Sequence, residues 1–314
     1  MDDAEYLLHA PYLRRRGIRP AVEVTKSEPR IARVRRGVYA SAERWNDLQD
    51  AERYRMLVLA TLALQRTAPI LCGLSAAVVW GLPIIGAWPE TVEELVTSRG
   101  SGSTGRIVRR RVVRLPESQT VDGIEVTSPA RTVVDIARSS EFVSALTAAD
   151  AALRAGLCTT ADLDREVAAI PLRARGTGAA STVVRLADAR SESPGESLSR
   201  ARMWELGLPQ PDLQVPLHDE RGAYGRADFG WDGVVGEFDG RVKYRADQMD
   251  GQAAEDTVWR EKRREDRIRR HTRVVRWTWD DALRTRPMAR VLADAGIRST
   301  NGPDTWHRYD LRDS

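Results

Sequence analysis

Residues 225–240 read GRADFGWDGVVGEFDG, and the folding of this stretch decides the architecture of the C-terminal part of the chain. Two β-prone runs meet at Asp232-Gly233, a pair suited to a two-residue hairpin loop of type I′, which needs positive φ at both central positions. Counting outward from the loop sets the register. Trp231 faces Val234, Gly230 faces Val235, Phe229 faces Gly236, and Asp228 faces Glu237. Side chains alternate along a strand, so Asp228, Glu237 and Asp239 share one face, while Phe229, Trp231 and Phe238 share the other. The apolar face suits a core. On the acidic face two carboxylates stand opposed with Cβ atoms about 4.5–5.5 Å apart, which is destabilising unless something compensates. A divalent cation such as Mg2+ or Mn2+ would do so, drawing on Asp228, Glu237 and Asp239 and keeping waters for chemistry. Solvation of an acidic hairpin face would also serve, as would pairing with Arg226, which the count places opposite Asp239.

Around the hairpin the sequence reads helix (195–206), strand (212–219), the two hairpin strands (224–231 and 234–239), helix (about 254–271), strand (273–279) and helix (280–294). Mixed strands followed by crossover helices imply an α/β fold, with a mixed sheet flanked by helices. Glu196 opens the first of these helices. It is placed either to point a third carboxylate over the sheet or simply to favour the helix dipole from the first turn. Of 49 basic residues only Lys26, Lys243 and Lys262 are lysines. Two of them follow Glu237 closely, and lysine is the cation whose pKa can be tuned for acid/base work.

The chain has 314 residues, 42% of them hydrophobic and 30% charged, enough for more than one domain with a core. No apolar run reaches the length of a membrane span, and MDDAEYLLHAPYLRRRG at the start has the wrong charge order for a signal peptide, so a soluble cytoplasmic protein without membrane attachment is expected. Cys72 and Cys158 stand far apart with no CxxC or Cys/His cluster, which argues against a disulfide framework or a zinc site. Basic residues cluster in three segments, 13–36, 99–114 and 260–276. An Arg-rich chain can solvate its surfaces this way, but three such segments suit a polyanionic partner.

In the N-terminal half, RIARVRRGVYA reads as two short strands around Arg35-Arg36-Gly37, a hairpin or wing. A helix over about 46–66 places Tyr54, Leu57, Val58 and Leu62 on one face. LSAAVVWGLP reads as a short helix with Ser75 as N-cap and Gly81 as stop. TVEELVTSR, RIVRRRVVRL and VDGIEVTS read as strands. SPARTVVDIAR begins a helix with Pro129 in its first turn, and TSPARTVVD is read as capping and packing. Helical patterns continue through about 142–189. DARSESPGE (188–196) is polar and turn-rich and marks the best domain boundary. The expected division is 1–45, 46–190, 191–298 and a tail, 299–314.

SPGESLSR, RADFGW, VVGEFDGRVKY and EKRREDRIRRHTRVVRWTWDDAL resemble the very-short-patch-repair-related branch of the PD-(D/E)XK nuclease superfamily, over about 190–295. The resemblance implies a restriction-endonuclease-like fold and Mg2+-dependent phosphodiester hydrolysis of DNA in repair or defence. Asp228 and Glu237 match the metal-binding acids, and Glu196 matches the acid of the leading helix. Where that superfamily carries a lysine, two residues after the second acid, this chain has Asp239, leaving Lys243 or Lys262 to act from elsewhere. Arg241, Arg263, Arg264 and Arg267 would track the phosphate backbone. RVRRGVYA, GLSAAVVWGLP and VDGIEVTSPARTVVDIAR resemble the abortive-infection type IV antitoxin family, over about 30–190. This implies an α+β domain behind a degenerate winged-helix-like segment, with Arg33, Arg35 and Arg36 on the wing and a cognate toxin as partner. Two functions follow: an Mg2+-dependent endonuclease, or a non-catalytic DNA-binding regulator of a toxin–antitoxin-like system.

Overall fold

The computed structural model describes residues 6–97, 102–104, 106–112, 115–219, 222–240 and 272–299. The fold is mixed α/β. The chain divides into two compact units, residues 1–148 with 156–185, and residues 149–155 with 186–314.

The first unit opens with β1 (Leu8–His9), α1 (Ala10–Arg15), α2 (Pro20–Glu23) and the hairpin β2 (Ile31–Arg35) and β3 (Val38–Ser41), whose sheet order is β1-β3-β2. The expected turn is present, and Gly37 supplies its positive φ of 86°. α2 is a single turn. Its last residue, Glu23, turns inward and is held by Arg30, which donates from Nε at 3.1 Å, and by Lys26 at 2.7 Å. Those two cations, Arg30 foremost, hold the Glu23 carboxyl well below the usual range, at about 2.

After α3 (Ala42–Asp47) comes α4 (Asp50–Leu62), started by a capping box between Gln49 and Glu52. Tyr54, Leu57 and Val58 are buried as the spacing predicts. They share a core with Val34, Val38 and Ala40 of the hairpin and with Val79, Val92 and Val126. α5 (Gly73–Trp80) is capped at Cys72 and not at Ser75 as expected. Ser75 lies inside the first turn, where its hydroxyl accepts from the Glu93 amide at 2.8 Å and shares a 2.7 Å hydrogen bond with Tyr54. Burial turned a good capping residue into a core link. Gly81 ends the helix in the left-handed region, as expected.

β4 (Val92–Val96), β5 (Gly102–Thr104) and β6 (Ile107–Arg111) form a sheet in the order β4-β6-β5, with β4 and β6 parallel. β7 (Ser118–Val121) and β8 (Ile124–Thr127) form a hairpin. Its loop residues Asp122 and Gly123 both take positive φ, 50° and 77°, the type I′ pattern. Leu71 ties β4 to β8, its amide donating to Glu125 O and its carbonyl accepting from Thr127 N. α6 (Pro129–Ser139) starts at Ser128, whose side chain accepts from Arg131 N, with Pro129 in the first turn as predicted. α7 (Phe142–Arg154), α8 (Thr160–Ala168) and α9 (Thr177–Leu186) follow.

In the second unit α10 (Pro194–Glu205) precedes β9 (Asp212–Asp219), β10 (Gly222–Trp231), β11 (Val234–Asp239) and β12 (Arg273–Thr278). The sheet order is β12-β11-β10-β9, antiparallel except for the β11–β12 pair. The register of the central hairpin, Trp231 with Val234 and Phe229 with Gly236, is the counted one. The turn type differs. Only Gly233 has positive φ, 69°, whereas type I′ needs it at Asp232 as well; positive φ at the second loop position alone is the type II pattern. Loop length, and not turn type, fixes the register. On the apolar face Phe229 stacks on Trp277 with centroids 5.1 Å apart. Trp277 donates from Nε1 to Ser199 Oγ of α10 at 2.8 Å. A Cβ on Gly236 would come within 2.6 Å of the Trp277 ring, so only glycine fits there.

The expected helix 280–294 is two helices, α11 (Trp279–Leu283) and α12 (Arg286–Asp294). Thr285 between them takes a φ of 66°. Pro287, at the start of α12, has no amide to continue the ladder and restricts the residue before it. The helix expected over about 254–271 and most of the expected tail lie outside the described residues.

Residues 149–155 are secured to the second unit by a buried ion pair. Asp150 Oδ2 accepts from Arg200 Nη1 at 2.6 Å and from Ser197 Oγ at 2.8 Å, and Oδ1 accepts from Asp188 N at 2.8 Å. The two side chains are 1% and 7% exposed. Arg200→Met strands a buried carboxylate and is expected to cost about 3–5 kcal/mol in urea denaturation, whereas the double change with Asp150→Leu costs clearly less. Equal losses in the two variants would contradict this role.

Candidate functional site

The second unit gathers three acids. Glu196 sits in the first turn of α10 beside its N-cap Ser193. Both of its oxygens are engaged: Oε1 accepts from Ser193 Oγ at 2.8 Å, and Oε2 accepts from Glu192 N at 2.8 Å and Gln214 Nε2 at 2.9 Å. Asp228 on β10 accepts from the Phe238 amide at 2.8 Å. The hairpin pairs run from the loop to Phe229 and Gly236; next along β10, the Asp228 carboxylate serves β11 as an acceptor. Glu237 on β11 is paired in register with Arg276 on β12, which donates from Nε at 2.8 Å.

The acids feel one another. Burial first, opposed by the Phe238 amide and reinforced by Glu237, pushes the Asp228 carboxyl above its ordinary value. Burial also raises Glu196, against the Glu192 amide and the Ser193 hydroxyl, with Asp228 adding to the rise. Among the described residues no group of three or more His, Cys, Asp or Glu side chains is arranged to hold a metal ion. Asp239 is exposed at the end of β11, level with Thr278. Arg226 reaches Glu192 at 2.7 Å. Lys243, Lys262, Arg241, Arg263, Arg264 and Arg267 lie outside the described residues.

Sequence reasoning missed Arg276 and Gln214. Arg276 is one basic residue of nine in its run, and only the parallel pairing of β11 with β12 singles it out. Gln214 gave no signal. It takes a φ of 56° in β9, a conformation that a glutamine sequence does not advertise.

In the first unit Arg33 and Arg36 are exposed on the β2–β3 hairpin, and Arg35 is half-buried. Nε and Nη1 of Arg35 are buried with no hydrogen-bond partner. Burial, then the neighbouring Arg106, lowers the Arg35 pKa. Arg14, Arg15, Arg16 and Arg19, on and after α1, are also exposed. None of the described helices is long and apolar enough to cross a membrane.

Residues 68–186 match the family model described as the AbiEi antitoxin C-terminal domain. The chain is also similar to two uncharacterized proteins of Mycobacterium tuberculosis, MT2308 and Rv2248. Each is 41% identical over 130 residues, covering 41% of this chain and 46% of the relative. The chain thus spans about half the length of the curated relatives it matches. A crystal structure of the RV2827C protein from Mycobacterium tuberculosis aligns at 16% identity with a TM-score of 0.35, over 58% of this chain and 72% of that one.

The raised acids give a pH signature. For Asp228 and Glu196 the folded state holds the proton more tightly than the unfolded chain. The stability they contribute is therefore fully present below the ordinary carboxylate range and is lost as pH rises through their raised folded values. Asp228→Asn keeps an acceptor for the Phe238 amide and removes the charge. In metal-free buffer its urea midpoint is expected to exceed that of the unchanged chain at about pH 7 and to converge with it below about pH 3.5. A lower midpoint for the variant at neutral pH would contradict this.

Proposed function

We propose that the chain is a DNA-binding regulator of the antitoxin type, with a protein toxin as its partner. The observation that carries the reading is the match of residues 68–186 to the AbiEi antitoxin C-terminal domain. The segment before it supplies a means of holding DNA. Two short helices and a hairpin, with sheet order β1-β3-β2, support reading it as a degenerate winged helix. In that plan α2 occupies the place of the groove-reading helix. One turn of helix, closed off by the inward Glu23, presents little to read base edges with, so the arginines flanking it serve as phosphate contacts. Arg35, with two buried donors lacking acceptors, favours an anion at the hairpin.

A second reading has one specific observation in its favour. Continuing the hairpin register sets Asp228 against Glu237, which raises its carboxyl, and Asp228 in turn raises Glu196, a grouping of acids that suits an Mg2+-dependent or Mn2+-dependent nuclease. Asp228 and Glu237 would hold the ion, which would supply Lewis-acid polarisation of a phosphodiester. The donor set fits it only in part. Arg276 already neutralises Glu237, and Glu196 is used up by its own hydrogen bonds.

The regulator reading is tested by the salt dependence of binding to duplex DNA from upstream of the chain's own coding region, measured by fluorescence anisotropy. The double substitution Arg33→Ala with Arg36→Ala should weaken binding and flatten the slope of log K against log salt by about 2. An unchanged affinity and slope would show that the hairpin does not touch DNA.

A further inference from the structure

The first unit holds a second feature, separate from the hairpin arginines. A cleft of about 660 Å³ opens between β6 and α6. Arg131, Asp135 and Arg138 line it from α6 at positions i, i+4 and i+7, the spacing of one helix face. Arg110 enters from β6, and the exposed Arg175 stands at the rim. The cleft carries an excess of positive charge even after its own ion pairs are subtracted. Arg131 Nε meets Asp135 Oδ1 at 2.9 Å, and Arg110 meets Glu93. Arg138 donates from Nε to the Arg175 carbonyl at 3.2 Å, which leaves its two terminal nitrogens for other acceptors.

Two polar atoms here are buried without partners. Asp135 is 9% exposed, and its Oδ2 accepts no hydrogen bond. Nε of Arg110 is likewise buried and unpartnered. An unmet acceptor and an unmet donor on two residues that line one cleft are a costly arrangement that a ligand with both kinds of group, displacing the side chains toward it, relieves. Leu95, Val108 and Val112 add an apolar portion to the lining. The volume lies in the range of small-molecule sites.

We propose that this cleft binds a nucleoside phosphate. The phosphate would take the free guanidinium edges of Arg138 and Arg175, whose planar forks match its oxygens. A hydroxyl or amino group of the nucleoside would donate to Asp135 Oδ2, and the base would lie on the apolar portion. The assignment goes beyond the antitoxin-like reading and does not depend on the hairpin's contact with DNA.

Isothermal titration of the full chain with AMP, GMP, CMP and UMP tests it, with the free nucleosides and inorganic phosphate as controls. At least one nucleotide should bind one-to-one, with its nucleoside and phosphate alone at least about tenfold weaker. Arg138→Gln and Arg175→Ala should each weaken that nucleotide by about tenfold or more. Arg175 is exposed, so its removal leaves the thermal melt unchanged and keeps the result readable should Arg138→Gln unfold the domain. Absence of binding by all four nucleotides at millimolar concentration would overturn the proposal. So would nucleotide binding that is indifferent to Arg175→Ala. Loss of duplex binding in these variants with nucleotide binding intact would also overturn it, assigning the cleft to the nucleic-acid surface.

Discussion

A carboxylate removed from water must find a donor, and this chain has little besides arginine to offer. Glu23 is held by Arg30 together with Lys26, Glu94 by Arg109, Asp135 by Arg131 and Asp150 by Arg200. These pairs secure a one-turn helix, a strand pair, one face of a helix and the attachment of residues 149–155. Arginine suits the task because its charge survives burial and its fork matches a carboxylate. Removing one partner of such a pair is damaging out of proportion to what the pair contributes, because an uncompensated charge stays behind. Glu196 departs from the pattern. It is 6% exposed and held by a hydroxyl, an amide side chain and a backbone N–H, and among the described residues no cation forms an ion pair with it.

That exception bears on the choice between regulator and nuclease. A metal site needs carboxylates with oxygens to spare, and here Asp228 and Glu237, two of the three acids expected to hold the ion, and Glu196 of the leading helix all accept hydrogen bonds from within the protein. Asp228 serves a backbone amide, Glu237 serves Arg276, and Glu196 serves Ser193, the Glu192 amide and Gln214. The repulsion that the hairpin register imposes is thus met in part from within, while Glu237 still pushes the Asp228 carboxyl up. The antitoxin-domain match covers residues 68–186, a stretch that includes none of these acids. The match favours the regulator.

The hairpin was legible because strict alternation and a two-residue loop leave one register that buries Phe229 and exposes Asp228 to Glu237. The strands 212–219 and 234–239 and the Pro129 helix start were legible for similar local reasons. The type of the 232–233 turn was not, since Asp-Gly fits more than one loop geometry once the strands are paired elsewhere. Ser75 was misread because its hydroxyl is claimed by Tyr54 and the Glu93 amide, residues 21 and 18 positions away. The cleft on α6 was invisible for the same reason. Arg110 of β6, Asp135 of α6 and Arg175 ahead of α9 line it together without sharing a motif.

The most direct test of the account is to incubate supercoiled plasmid carrying the upstream region with the full chain in Mg2+ or Mn2+ and to read both mobility and topology. A DNA-binding regulator retards the plasmid and, after removal of the protein, returns it supercoiled. Nicked or linear product that disappears with Glu237→Ala would contradict the account and put the metal ion between Asp228 and Glu237.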